Sequence, residues 1–181
     1  MRKGFSVIET LIVVAIVLVI AAIAIPNLLR SKVAGNEATA IGSLRNIMSA
    51  EAAYRATYGI GFSNDLSTLG GPSGTAEASC TAALLLDPGL AKNVAGNKTR
   101  KSGYEFTFTP GSETFHPDSA VPQGCPVGTA DGYAIQADPV DAGISGRRHF
   151  CADASGVIRV DSQKQVAVTG ATCSPSTPPL Q

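Results

Sequence analysis

The hydrophobic pattern begins with a long, continuous apolar stretch. Eighteen of the 21 residues from Phe5 to Ile25 are apolar, and Leu11 to Ile25 contains no polar side chain. At about 1.5 Å per residue, a helix of that length spans about 32 Å, enough to cross the hydrocarbon core of a bilayer. The pattern therefore predicts a membrane-spanning helix over residues 5–25.

After Pro26 the pattern becomes amphipathic. Apolar residues recur near helical spacing at Val33, Ile41, Leu44, Met48, Tyr54 and Tyr58. Charged residues lie between them at Arg30, Lys32, Glu37, Arg45, Glu51 and Arg55. We therefore expect the helix to continue over 26–58, to present one face to a head, and to end at Gly59. Pro26 should kink it, because proline removes a backbone hydrogen bond.

Residues 59–181 contain 16 of the 19 glycines and 10 of the 11 prolines, which predicts a loop-rich head. Tyr104, Phe106 and Phe108 alternate with polar residues, as in a strand with one buried face. Further strands are predicted at 133–137, 149–152 and 157–160, the last two forming a hairpin around Gly156. The predicted fold class is α+β, a long N-terminal helix packed on a small antiparallel sheet.

Two other segments of the head receive predictions. Thr81 to Leu90 is expected to form a short helix that Pro88 ends. Ser174 to Gln181, with three prolines, is expected to be an extended surface segment.

The four cysteines all lie in the predicted head. They are Cys80, Cys125, Cys151 and Cys173, at spacings of 45, 26 and 22 residues. These spacings lack a paired CxxC zinc signature, so two disulfides in an oxidising compartment are favoured over a metal site. Four cysteines permit three connectivities, and spacing alone leaves them open.

Charge and motifs point away from catalysis. The 14 basic residues balance the 14 acidic residues, so composition gives no electrostatic reason to bind nucleic acid. The chain lacks GxSxG, HExxH and GxxxxGK[ST] motifs, and neither His116 nor His149 lies in a recognisable nucleophile motif. The aspartates at 138, 141, 153 and 161 do not match an EF-hand. We expect no catalytic site, metal or cofactor.

The N-terminal segment has a competing interpretation as a cleaved signal peptide. Arg2 and Lys3 supply a basic region, and Ala22-Ile23-Ala24 imitates a small-residue cleavage pattern. The length of the apolar run and the carboxylate of Glu9 count against it. Because the first four residues are short and carry two cations, we expect Met1 to stay inside the cell.

Glu9 is the one charged side chain in the apolar stretch. Near mid-membrane a carboxylate costs about 3 kcal/mol, and less near a helix end. No basic residue lies between Phe5 and Leu29, so a cation from another chain is one candidate partner. The alternative is that Glu9 reaches the headgroups or the positive end of the helix dipole.

The first 58 residues resemble type IV pilins and type II secretion pseudopilins. The resemblance rests on Met1 to Gly4, on Phe5-Ser6-Val7-Ile8-Glu9 before the apolar helix, and on Pro26-Asn27-Leu28-Leu29 after it. It implies that a prepilin peptidase cuts after Gly4, removing leader 1–4, and methylates Phe5. It also implies that Glu9 binds the freed ammonium of the adjacent subunit as a helical homopolymer assembles.

The resemblance further implies where the protein acts and with what. The expected partners are further copies of this chain, the peptidase and methyltransferase, an inner-membrane assembly platform and minor pilins. The chain would wait in the inner membrane with its head in the periplasm, then enter an extracellular pilus or a periplasmic pseudopilus. Filaments of this family can unwind locally around the proline that matches Pro26.

The resemblance also bears on the head. It favours pairing Cys151 with Cys173, which leaves Cys80 with Cys125. DNA uptake by the family allows a weak phosphate contact at Lys98, Arg100 and Lys101 or at Arg147 and Arg148.

Several functional alternatives remain open. Within the same class they are a type II secretion pseudopilin and a minor pilin. Outside it they are a membrane-anchored periplasmic binding module that does not polymerise, and an anchored enzyme with an unrecognised site.

Overall fold

The structure, a computed structural model, describes residues 6–71, 77–92, 97–112, 121, 124–125 and 130–180. Its main element is helix α1, Val7–Tyr58, which runs without interruption through Pro26. Gly59 ends the helix in the left-handed conformation (φ 66°), and its N–H donates to the carbonyl of Arg55. A residue without a Cβ adopts this backbone conformation at little cost, which explains why the helix stops there.

The head is built on an antiparallel sheet whose strands follow one another in chain order. The strands are β1 Lys98–Lys101, β2 Tyr104–Pro110, β3 Tyr133–Pro139, β4 His149–Asp153 and β5 Ile158–Asp161. A separate small ribbon pairs β6 Val168–Thr169 with β7 Thr172–Cys173. A long apolar N-terminal helix followed by a small antiparallel sheet confirms the predicted α+β fold.

The core lies between the sheet and the second half of α1. Tyr104, Phe106 and Phe108 of β2 are buried, as their alternation predicts. They belong to the same apolar cluster as Leu44 and Ile47 of the helix. The β4–β5 hairpin is also present, and Gly156 has the positive φ (79°) expected at its turn.

The prediction of a helix at Thr81–Leu90 is wrong, because this segment is irregular. The segment folds back on α2, Leu66–Gly70, whose carbonyls accept from the N–H groups of Ala83 and Leu85. Leu84 has φ 55°, a left-handed conformation that an α-helix cannot include. The short helix of this region is α2, capped by Asp65, which accepts from Thr68 N–H at 2.7 Å.

The C-terminal tail is extended but is more than a surface segment. Val160 N–H donates to the Pro178 carbonyl at 3.0 Å, and Leu180 N–H donates to that of Ile158 at 2.7 Å. Thr177 is buried, and its carbonyl accepts from Arg159. Without the tail, the backbone N–H and C=O groups at the outer edge of β5 would have no partners. The tail pairs with them and covers that edge of the sheet.

Candidate assembly surface

The first half of α1 is an apolar surface on all sides. Its large apolar side chains range from 49% exposed at Val14 to 79% at Val7. The span is long and apolar enough to cross a membrane, and none of it is buried within the chain. So large a continuous apolar surface is unfavourable in water. It therefore requires either lipid or other apolar helices around it.

Glu9 lies in the first turn of α1 and is exposed on this surface. Among the described residues, no ion pair reaches its carboxylate. The next basic residue along the helix is Arg30, 21 positions away and about 32 Å along the axis. Gly4 and Phe5, the expected cleavage and methylation positions, lie outside the described residues. Any cation that pairs with Glu9 must come from residues 1–5 or from another molecule.

The second half of α1 is fixed to the head by a buried stripe that includes two carboxylates. Its members are Glu37, Ala40, Leu44, Ile47, Glu51 and Tyr54. Glu37 accepts from the backbone N–H groups of Arg147 and Arg148 and from Arg148 Nε at 2.7 Å. The neighbouring Asn36 donates to the Ser145 carbonyl at 2.8 Å. These contacts hold the β3–β4 loop (residues 140–148) against the helix.

Glu51 makes a second polar attachment, further along the stripe. Its Oε2 accepts from Ser63 N–H at 2.9 Å, and its Oε1 accepts from the Ser63 hydroxyl at 2.5 Å. Burial is the dominant effect and raises the pKa of Glu51 to about 7, although the Ser63 hydrogen bonds act to lower it. One turn on, the Tyr54 hydroxyl donates to the Cys80 carbonyl at 2.7 Å. The helix and the head are therefore joined by specific hydrogen bonds as well as by apolar packing.

Two disulfides close the head. Cys80 is bonded to Cys125 and Cys151 to Cys173, the same pairs that the family resemblance implies. The second bond ties strand β4 to β7, and Asp153 reinforces this link by accepting from Cys173 N–H at 2.9 Å. No cysteine is free within the described part of the chain.

Of the two basic clusters considered for phosphate contact, the one on β1 is paired with acids. Glu105 bridges Lys98 at 3.0 Å and Arg100 at 2.7 Å, and Lys101 bridges Asp87 at 3.0 Å. The hydrogen bonds from Arg100 and then Lys98 lower the pKa of Glu105, so this carboxylate stays ionised. Little unpaired positive charge remains at this hairpin to attract a polyanion.

The histidine and aspartates weighed for catalysis or metal binding are spread over separate contacts. His149 Nδ1 lies 2.7 Å from Asp138 Oδ1, while the other oxygen of Asp138 accepts from Gln165. Asp161 accepts from the backbone of Gln163 and Lys164 in its own turn. Over the ranges that the structure describes, no three His, Cys, Asp or Glu side chains gather as metal ligands would. His116 lies outside those ranges.

In the sequence, Glu37 and Glu51 are two of the charged residues between the apolar positions of the helix, and their structural role was not predicted. The structure buries both. A signal was present, because positions 37, 40, 44, 47, 51 and 54 follow alternating steps of three and four residues. That spacing places all six on one helix face.

Fold and surface together define a class of protein: a disulfide-bonded α+β head attached to a helix whose exposed apolar half has the length of a bilayer. No family model, no curated protein and no solved structure matches this chain.

Proposed function

We propose that this protein is a prepilin, the structural subunit of a type IV pilus filament. The observation that carries the proposal is the single helix α1, whose apolar first half is wholly exposed and whose second half is fixed in the head. A bilayer accounts for about 20 helical residues. The additional 30 or so residues give a stiff support that holds the head outside while the apolar half stays among lipids or other helices.

Processing would create the cation that Glu9 lacks. Cleavage after Gly4 removes Arg2 and Lys3 and leaves the ammonium group of Phe5. The side-chain charge of the mature chain is then 12 − 14 = −2. A neighbouring subunit's ammonium group would pair with Glu9 in an apolar surrounding, where an unpaired charge is costly and a pair is strengthened. The pair would fix the axial register of one helix against the next.

The buried contacts of the helix suit it to carry force. Glu37, Glu51 and Tyr54 bind three separate parts of the head, so pulling on the helix loads the whole head. Pro26 lies between the exposed and packed halves and lacks the N–H that would bond one turn back. It is the position at which we propose the helix unwinds under load.

The same chemistry would serve a type II secretion pseudopilus or a minor pilin, which are the nearest alternatives. A membrane-anchored binding module that does not polymerise is the alternative from another class. It requires neither removal of residues 1–4 nor the carboxylate of Glu9. The proposal assigns the chain no catalytic role.

The test is substitution of Glu9 by Gln or Ala in cells that make the filament. We expect near-normal processing, because position 9 lies beyond the bond that is cut, but few or no filaments. Thr10→Val is the matched control, since it changes the next residue of the same exposed turn and should leave assembly intact. Intact mass reports processing and electron microscopy reports filaments. Normal filaments from Glu9→Gln would contradict the assigned role.

A further inference from the structure

A shallow groove lies where the exposed half of α1 meets the head. It encloses about 510 Å³ and is lined from the helix by Pro26, Leu29, Arg30 and Val33. Gly143, Ile144 and Arg147 of the β3–β4 loop form its other side. The groove is therefore continuous with the apolar surface of the helix.

The loop holds an apolar side chain out of the core. Ile144 is 69% exposed, and the nearby Val140 is 43% exposed. The turn beneath Ile144 is closed by Gly143 N–H donating to the Gly146 carbonyl at 2.7 Å. Asn36 and Glu37 fasten the following residues to α1. Ile144 is thus presented by a well-bonded loop at a fixed position beside the helix.

Two arginines share the groove with Ile144. Arg30 and Arg147 line the groove, and within the described chain neither guanidinium is paired with an acid. Counting Arg30, Arg147 and Arg148 against Glu37 and Asp141 gives 3 − 2 = +1. Arg148 is already bound to Glu37, which leaves Arg30 and Arg147 as the unpaired cations of the groove.

The groove lies at the level of lipid headgroups when the apolar stretch spans a bilayer. Arg30 follows Ile25 by five residues, about 7 Å along the helix. The polar layer on each side of the hydrocarbon core is about 5–7 Å deep. An apolar residue flanked by cations at this depth matches an anionic membrane surface, with the side chain among the upper acyl carbons and the cations at the phosphates.

We propose that the β3–β4 loop docks on the bilayer surface, inserting Ile144 while Arg30 and Arg147 bind the phosphates of anionic lipids. Docking would fix the orientation of the head before assembly and would have to be released when a subunit leaves the membrane. This docking rests on the proposed function only in placing α1 in a bilayer, and it does not require polymerisation.

The chain contains no tryptophan, so Ile144→Trp gives a single fluorescent reporter in the full-length protein. Vesicles of phosphatidylcholine alone and of an equal phosphatidylcholine and phosphatidylglycerol mixture, each with brominated chains, serve as probes. We expect blue-shifted emission and loss of fluorescence by bromine quenching in the anionic vesicles. Val157→Trp is the matched reporter, because it lies next to Gly156 beside Ala52, about 33 Å further along α1, and should not be quenched.

Two further measurements test the role of the arginines and exclude an effect of the introduced tryptophan itself. Arg30→Gln or Arg147→Gln should reduce quenching of the Ile144→Trp reporter in anionic vesicles, whereas Arg45→Gln, on the same helix about 22 Å away, should not. Tryptophan itself favours membrane interfaces, so hydrogen exchange of residues 140–148 in the unsubstituted protein supplies an independent readout. We expect slower exchange in anionic than in zwitterionic vesicles.

Equal quenching of the two reporters, no effect of Arg30→Gln and Arg147→Gln, or unchanged hydrogen exchange would overturn the docking. Shielding of Ile144→Trp only in assembled filaments would also overturn it, by identifying a second copy as the occupant. Each of these results would leave processing at Gly4 and the role of Glu9 untouched, so failure here is distinct from failure of the proposed function.

Discussion

At the scale of single residues, Glu51 carries the clearest physical consequence. It is fully buried between α1 and the head, with both carboxylate oxygens bonded to Ser63. Its pKa is raised from 4.5 to about 7, mainly by burial. The folded chain therefore binds this proton more tightly than the unfolded chain does.

That difference fixes the sign of a pH effect on stability. The contribution of Glu51 is fully present below pH 4.5 and is lost as the pH rises through about 7. We expect the free energy of unfolding to fall between pH 5 and pH 8, by on the order of 3 kcal/mol from this group. Urea unfolding of the full chain in detergent measures the change.

Glu51→Gln removes the titrating group and should flatten the dependence over the same interval. Glu77→Gln is the matched control, because Glu77 is exposed and its substitution should preserve the slope of the parent chain. If Glu51→Gln kept the full fall in stability, the assignment to Glu51 would be wrong.

Sequence reasoning could identify some of these residues and not others. Glu9 could be identified because it interrupts an apolar run, and such an interruption is visible in the local sequence. The partners of Glu37 lie 110 and 111 positions away at Arg147 and Arg148, and no local pattern specifies such a contact. Ser63 likewise becomes a partner of Glu51 only after the chain turns at Gly59.

At the scale of elements, the β3–β4 loop depends on one close approach. Gly146 lies against the side chain of Tyr104, and a Cβ at position 146 would overlap its hydroxyl and ring. The same hydroxyl donates to the Arg148 carbonyl at 2.9 Å. Glycine is therefore required here for space.

Gly146→Ala should destabilise the head by about 1–3 kcal/mol, because inserted atoms strain a packed core, and should weaken the Tyr104 hydrogen bond. Gly132→Ala is the matched control, since its Cβ would meet only Ala171 at an ordinary 3.6 Å. Thermal unfolding of the two full-length variants in detergent compares them. Equal melting temperatures for the two variants would show that the loop can move aside.

Elements with a marked apolar pattern were predictable and the others were not. Strands β2 and β5 alternate apolar with polar residues, whereas β3 and β4 are short, largely apolar runs. Strand β1, Lys98–Lys101, consists of four polar residues and is defined only by pairing with β2. A helix was predicted at Thr81–Leu90, but the segment contributes Ala83, Leu86 and Leu90 to the core from irregular backbone bonded to α2.

At the scale of the whole molecule, one chain must satisfy two environments. The head has a closed core, two disulfides and a covered sheet edge, and these features suit an aqueous, oxidising environment. The apolar half of α1 is not buried by any other part of the described chain. In the proposed function, lipid surrounds this apolar half before assembly and neighbouring helices surround it afterwards.

In the proposed function, the transfer of α1 from lipid to neighbouring helices would depend on the chemistry of the N-terminus. In the proposed function, a new ammonium group on Phe5 would attract the Glu9 carboxylate of a neighbour, whereas an unprocessed chain would offer Arg2 and Lys3 in its place. The intact mass of the native protein, purified with its filaments, measures this directly. We expect a chain that begins at methylated Phe5 and retains both disulfides. A chain that still begins at Met1, or one cut after Ala24, would contradict the account.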